Sequence, residues 1–145
     1  MKQRFLVNVD HFQLFIADSA LVDDADTGSI WNDKPHEMVV SRGGLVAMAI
    51  ARFGGAVPVE FLLDEHPDPA HLGWTPIGRF ELVVSSGRVA LFSPESEPEQ
   101  VVQIEARRGV YDGTVSGRGM DAVIDDLATT GPDEYRIALI LRETR

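Results

Sequence analysis

The fold is decided by the stretch Phe80-Glu81-Leu82-Val83-Val84-Ser85-Ser86-Gly87-Arg88-Val89-Ala90-Leu91-Phe92. Its apolar residues at 80, 82 and 84 alternate with residues 81 and 83, a period of two that is typical of a strand with one buried face. Ser85-Ser86-Gly87 is a turn signal, and a second β-rich run follows it. The stretch therefore predicts two strands joined as a β-hairpin.

Further strands are predicted along the rest of the chain. Apolar residues alternate at 57–63, 102–106, 110–115 and 135–142. Residues 45–52 fit a short buried helix or a strand, and the glycine pairs around them favour a strand. Pro58 indicates an edge strand or a strand start. Only 120–128 has helical spacing. These patterns predict an all-β fold, an antiparallel β-sandwich with at most one short helix, as a single domain over 1–145.

The apolar phase changes near the N-terminus. Residues 5, 7 and 9 are apolar at odd positions, whereas 12, 14 and 16 are apolar at even positions. A slip of one residue would turn every apolar side chain to the wrong face of a sheet. We therefore expect a bulge or a strand break at Asp10-His11.

The charge of the chain favours a protein partner. It has 23 acidic and 13 basic residues, a net charge of −10, and no cysteine. A negative surface repels phosphate backbones, so no direct nucleic-acid binding is predicted. It attracts basic proteins instead, although surplus acid that only maintains solubility is an equally simple interpretation. Neither a signal-peptide apolar stretch nor a membrane span is found, so we expect no membrane partner and a cytoplasmic location.

Candidate chemistry is sparse in this sequence. The loop at 64–71 contains His66 and His71 among carboxylates, but its spacing matches no closed metal site. Residues 23–28 lack the ligand spacing of a calcium loop. Asp10 and His11 could form a general-base pair, yet a structural histidine is the simpler interpretation. The sequence predicts no catalytic residue, no metal, no cofactor and no enzyme.

The candidate partner-binding residues are acids in three polar loops together with the two tryptophans. Tryptophan can anchor a protein interface, or each indole could instead cap one end of the sandwich. The predicted set comprises Asp23, Asp24, Asp26, Trp31, Asp64, Glu65, Asp68, Trp74, Glu95, Glu97 and Glu99.

Four segments resemble the competence protein J family. Residues Phe12-Gln13-Leu14-Phe15-Ile16-Ala17-Asp18-Ser19 resemble that family's early strand, and residues 80–91 are similar to its central hairpin. Gly109-Val110-Tyr111 resembles a Gly-x-Tyr strand start, and Asp133-Glu134-Tyr135-Arg136-Ile137 resembles the closing strand. The resemblance implies a nuclease inhibitor-like β-sandwich, and similar folds occur in immunity proteins that neutralise toxins.

The sequence and the resemblance together predict a non-enzymatic, acidic protein-binding module. It would inhibit a nuclease or toxin by covering a basic active site with carboxylates. Two alternatives stay open: an enzyme or small-ligand module that uses His66 and His71, and a structural assembly subunit. The partner's identity and the oligomeric state also stay open.

Overall fold

The computed structural model describes residues 1–25, 27–32, 34, 36–67, 73–123 and 127–145. Within them lie ten strands: β1 Lys2–Val9, β2 Gln13–Asp18, β3 Val39–Arg42, β4 Leu45–Ala49, β5 Gly55–Leu63, β6 Thr75–Val84, β7 Arg88–Phe92, β8 Val102–Glu105, β9 Gly109–Arg118 and β10 Glu134–Thr144. The helical segments are 3-10 turns at Ser19–Leu21, Pro98–Gln100 and Met120–Ala122. None of these turns has the length or apolar character of a membrane-crossing helix. The predicted all-β fold is confirmed.

The strands form two five-stranded sheets. The first sheet has the order β1-β5-β10-β9-β6, and the second has the order β3-β4-β2-β7-β8. Neighbouring strands are antiparallel except β5 and β10, which are parallel. Alternate residues of both sheets point into a shared core, with Tyr111, Tyr135, Phe61, Leu14 and Ile16 among its largest fully buried side chains. This arrangement is the predicted sandwich.

The predicted hairpin at 80–92 is wrong. Strand β6 pairs with β9 in the first sheet, whereas β7 pairs with β2 and β8 in the second. The chain therefore passes from one sheet to the other at residues 85–87. Periodicity could not separate the two arrangements, because Val84 and Val89 point into the core in the sandwich and would also share one face in a hairpin with a four-residue loop.

A buried carboxylate fixes this passage between the sheets. Asp18, at the end of β2, is only 1% exposed. Its side chain accepts hydrogen bonds from the backbone N–H groups of Ser85 and Ser86 and from the Ser86 hydroxyl, each at 2.9 Å. It also accepts one from Ala20 N at 3.2 Å. Gly87 follows with a φ of 84°, a conformation that glycine adopts without strain.

The second sheet is buried on both faces. Four of the five residues in β4 are buried, which confirms the strand interpretation of 45–49 and explains why this run lacks alternation. The outer face contributes to a second apolar cluster with Phe15, Ala17, Ile30, Val40, Leu45, Ala47, Ala90 and Phe92. Val22, Ala25 and Trp31 pack against this cluster, so these three residues also cover the outer face of the second sheet.

Pro58 does not mark an edge strand. Strand β5 lies between β1 and β10, and Pro58 is paired with Leu6 of β1. Pairing with β10 begins one residue later, at Val59 opposite Tyr135. The missing N–H of proline is tolerated here because the ladder to β10 has not yet begun.

The segments that carry the family resemblance make structural hydrogen bonds. Tyr111 donates its hydroxyl hydrogen to the carbonyl oxygen of Arg107 at 2.7 Å. The Tyr135 hydroxyl donates to Asp133 at 2.9 Å, and Asp133 also accepts a hydrogen bond from buried Arg52 at 2.8 Å. These residues stabilise the sandwich and lie away from solvent.

Substituting Asp18 tests whether its hydrogen bonds stabilise the passage between the two sheets. Asp18→Ala leaves three backbone N–H groups and a hydroxyl without their acceptor, so we expect the free energy of unfolding to fall by about 3 kcal/mol. Urea denaturation would measure this change. Asp24→Ala, at an exposed position, is the matched control, and equal stability losses in the two variants would contradict the assigned role.

Candidate functional site

The turn between β1 and β2 presents an aromatic side chain to solvent. Strand β1 ends at Val9 and β2 begins at Gln13, so the predicted strand break is confirmed. His11 and Phe12 have φ values of 51° and 62°, which are strained for residues with a Cβ. Phe12 N donates to Phe53 O at 3.1 Å, and Phe12 O accepts from Ile50 N at 2.8 Å. These bonds hold Phe12 rigidly at 38% exposure.

Phe12 borders a shallow apolar depression of about 310 Å³. Met38, which is 44% exposed, and half-buried Trp31 form further parts of its lining. The indole N–H of Trp31 donates to the Gln13 side chain at 2.7 Å and thereby fixes the ring. Because exposed apolar groups of this kind gain free energy when a partner covers them, the depression is suited to anchoring a protein.

A well-ordered loop between β7 and β8 carries three predicted acids, Glu95, Glu97 and Glu99. Ser93 N donates to the Ser96 hydroxyl at 2.8 Å, and Ser96 N donates to Ser93 O at 3.1 Å. A capping box, formed by Glu97 and Gln100, closes the loop. The three carboxylates are exposed, and the hydrogen bonds fix the backbone that presents them.

These segments meet at one end of the sandwich, which we call the acidic end. It comprises residues 10–13, 93–100 and the described residues of 31–38. Its carboxylates are Asp10, Glu37, Glu95, Glu97 and Glu99. Within the described part of the chain, none of the five forms an ion pair with lysine or arginine, and Asp10 contacts His11 at 3.0 Å. Five carboxylates against one exposed lysine, Lys34, thus make the described part of the acidic end a net negative surface beside an apolar depression.

The acids on the outer face of the first sheet are neutralised instead. Glu60 contacts Arg136 at 2.8 Å and both Lys2 and Arg4 at 3.8 Å. Arg142 contacts Glu81 at 2.6 Å and Asp112 at 2.9 Å. These carboxylates contribute little negative field to that face, because cations lie directly beside them.

Glu134 is part of the same neutralised face. It accepts hydrogen bonds from Arg118 and, at 3.1 Å, from Arg4. Burial alone would raise its pKa, but the hydrogen bonds and charges of the two arginines outweigh that effect, and the pKa of Glu134 is lowered.

The predicted partner-binding residues do not share one surface. Trp31, Glu95, Glu97 and Glu99 lie at the acidic end. Asp23 and Asp24 are exposed near the β3–β4 turn, at the opposite end. Asp64 and Glu65 also lie there: Asp64 accepts a hydrogen bond from Leu141 N at 2.8 Å, and Glu65 pairs with the N-terminal amine at 3.2 Å. Asp26 and Asp68 lie outside the described residues.

The interpretation that each tryptophan caps an end of the sandwich is wrong for Trp74, which lies on a sheet face, whereas Trp31 lies at the acidic end. Trp31 packs on the outer face of the second sheet. Trp74 is 5% exposed on the outer face of the first sheet, where the guanidinium carbons of Arg118 and Arg136 each lie 4.3 Å from its ring centroid.

Sequence reasoning missed Asp10, Phe12, Glu37 and Met38 as interface candidates. The phase change at residue 10 was the available signal for the exposed turn. Nothing in the local pattern indicated that residues 31–38 and 93–100 would lie beside it, because these loops are far apart in the chain.

Asp10, His11 and Glu95 form a close polar cluster at the acidic end. One ligand atom from each lies within 4.8 Å of the others, a spacing that could hold a divalent ion. A hydrogen bond with Asp10, and then the negative charge of Asp10, raise the pKa of Glu95, while His11 lowers it in part. The two carboxylates are crowded together despite their exposure. Of the two histidines that the sequence singled out, His66 is exposed and His71 lies outside the described residues.

The chain has a two-sheet, all-β sandwich fold that is similar to two solved structures. One similar solved structure is that of ComJ from Bacillus subtilis, an inhibitor of the DNA-degrading activity of NucA, with a TM-score of 0.70, 14% identity and coverage of 98% of this chain and 96% of that chain. Another is crocagin biosynthetic gene J, with a TM-score of 0.64, 13% identity and coverage of 99% and 98%. No protein-family model matches the chain, and no curated protein sequence matches it.

The crowding of Asp10 and Glu95 has a measurable consequence. We expect Asp10→Asn to lower the pKa of Glu95 towards that of an ordinary glutamate, because the repelling charge is removed. Because the pKa of Glu95 is raised on folding, the folded chain binds more protons than the unfolded chain between the unfolded-state and folded-state pKa values. The contribution of Glu95 to the free energy of unfolding therefore decreases as the pH rises through this range. NMR titration of the Glu95 side-chain carbon would measure the pKa. Asp24→Asn is the control and should leave the pKa of Glu95 unchanged. The same unchanged pKa in Asp10→Asn would contradict the contact between Asp10 and Glu95.

Proposed function

We propose that this chain is a non-enzymatic inhibitor that binds a nuclease or a nuclease toxin and covers its basic active site with the acidic end. It would act in the cytoplasm as a single domain over 1–145. The observation that carries the proposal is that five carboxylates, none ion-paired with lysine or arginine among the described residues, lie at the same end of the sandwich as the exposed Phe12 side chain.

The carboxylates account for recognition of the partner and for the speed of association. An enzyme that cleaves nucleic acid presents cations where phosphates bind, and carboxylates can occupy the same positions. A single exposed ion pair contributes only about 0.2–1 kcal/mol. The charges alone therefore do not supply tight binding, but they raise the association rate at low salt.

The apolar depression accounts for the lifetime of the complex. Aromatic side chains held in one conformation lose little entropy on binding, and buried anchors of this kind contribute about 2 kcal/mol or more. Phe12 is held by two backbone hydrogen bonds and by an edge contact with Phe53 at 5.4 Å between ring centroids. Met38 and Trp31 extend the surface that a partner would cover.

The structural similarity to ComJ supports this class of function. ComJ inhibits the DNA-degrading activity of NucA, and the similarity spans nearly the full length of both chains. We extend from that protein to this chain only the general role of an inhibitor with a nuclease partner. The basic active site and the carboxylate mimicry are our proposal from the charge distribution.

The test uses nucleases and nuclease toxins encoded in the genome of the organism that encodes this chain. Each is purified and assayed singly, first for inhibition and then for binding kinetics. We expect at least one to be inhibited at a one-to-one ratio. Glu95→Lys/Glu97→Lys/Glu99→Lys should slow association at low salt by about tenfold or more. Phe12→Ala should instead speed dissociation by about thirtyfold. Surface plasmon resonance separates the two rates.

The matched control reverses three exposed acids away from the acidic end. Asp23→Lys/Asp24→Lys/Glu143→Lys makes the same change in net charge, and we expect nearly wild-type association. An association rate that does not change with ionic strength would refute electrostatic mimicry. Equal effects of the two triple variants would refute the assignment to the acidic end, and a full panel without inhibition would refute the inhibitor function.

A further inference from the structure

A second concave site lies on the outer face of the first sheet. It is a cleft of about 370 Å³ whose lining includes Trp74, Ile77, Arg79, Thr114, Ser116 and Arg136. Its volume is in the lower part of the range found for small-molecule sites, which combine apolar walls with a few placed polar groups. The proposed inhibitor function does not use this cleft.

Strand register brings four polar side chains together in the cleft. Arg79 of β6 is opposite Thr114 of β9, and Ser116 of β9 is opposite Arg136 of β10. Thr114 and Ser116 are two residues apart on one strand, so all four side chains share one sheet face. Among the described residues, neither hydroxyl has a hydrogen-bond partner, and both are half-buried.

The arginines at the cleft differ in whether a carboxylate neutralises them. The guanidinium group of Arg136 is paired with Glu60 at 2.8 Å, and Arg118 behind Trp74 is paired with Glu134. Arg79 is exposed and has no carboxylate partner within the described part of the chain. The cleft therefore presents one uncompensated cation in a protein whose net charge is −10. This contrast distinguishes it from the acidic end.

The apolar wall of the cleft is rigid. Trp74 is 5% exposed, and the guanidinium carbons of Arg118 and Arg136 both lie 4.3 Å from its ring centroid. Cation–π contacts of this kind fix the indole in place. Pro76, which is opposite Ser116 and is exposed, adds a second apolar side chain to the lining of the cleft.

We propose that this cleft binds a small amphipathic carboxylate. The carboxylate group would be bound by the guanidinium of Arg79, whose planar fork matches a carboxylate, and by the hydroxyl groups of Thr114 and Ser116. The apolar body of the ligand would pack against Trp74 and Pro76. A neutral molecule of the same shape lacks the group that Arg79 binds.

The probes are phenylacetate, 3-phenylpropionate and indole-3-acetate, each compared with its neutral alcohol. A ligand of about ten non-hydrogen atoms should bind with a Kd in the micromolar-to-millimolar range. Binding is followed by the ¹H–¹⁵N NMR signal of the Trp74 indole and by the backbone amides of 114–116. We expect at least one carboxylate to shift these signals and its alcohol to bind at least tenfold more weakly.

Substitutions of Arg79 complete the test. Arg79→Gln should weaken carboxylate binding by about tenfold or more, Arg79→Lys should weaken it less, and Arg42→Gln on the second sheet should leave it unchanged. The proposal is overturned if no carboxylate shifts the Trp74 signal at millimolar concentration. It is also overturned if the alcohols bind equally well or if Arg79→Gln binds as the wild type does. Nuclease inhibition does not enter these readouts, so the two proposals can fail separately.

Discussion

The Asp18 carboxylate accepts four hydrogen bonds at the point where the chain passes from the first sheet to the second. It connects the end of β2 with residues 85 and 86, so one buried side chain links both sheets of the sandwich. Strand β7 begins next to this passage and extends to the opposite end of the sandwich. The loop at 93–100, which follows β7, therefore lies at that opposite end. There it lies beside the turn between β1 and β2, where Asp10 approaches Glu95.

Charge is segregated on the resulting scaffold. The outer face of the first sheet contains close ion pairs, and Arg88 and Arg107 lie with the N-terminus at the end opposite the acidic end. Arg108 and Arg145 are joined there by a backbone hydrogen bond at 3.3 Å. The acids of the acidic end have no such compensation among the described residues. The net charge of −10 is thus unevenly distributed, and the carboxylates of the acidic end add a negative field of the kind that steers a cationic partner.

Strand positions could be predicted from the sequence because alternation reports which side chains enter a core. The partners of those strands could not. Residues 80–92 have the same apolar pattern in a hairpin and in a passage between sheets. The two arrangements differ in contacts with distant residues, namely the pairing of β6 with β9 and of β7 with β2, and the hydrogen bonds of Asp18. In β4, burial of both faces removed the alternation, so only the flanking glycine pairs, and not the apolar pattern, favoured a strand. Glu95, Glu97 and Glu99 were identified by composition, whereas Phe12 and Met38 required the assembled fold.

The account depends most on the field at the acidic end, which NMR can measure without any partner. Paramagnetic relaxation by a cationic and by an anionic nitroxide gives the electrostatic potential near each amide. The account predicts the most negative potentials at residues 10–12, 36–38 and 95–99, and weaker potentials at 23–24 and on the outer face of the first sheet. Potentials as negative at those other positions as at the acidic end would contradict it.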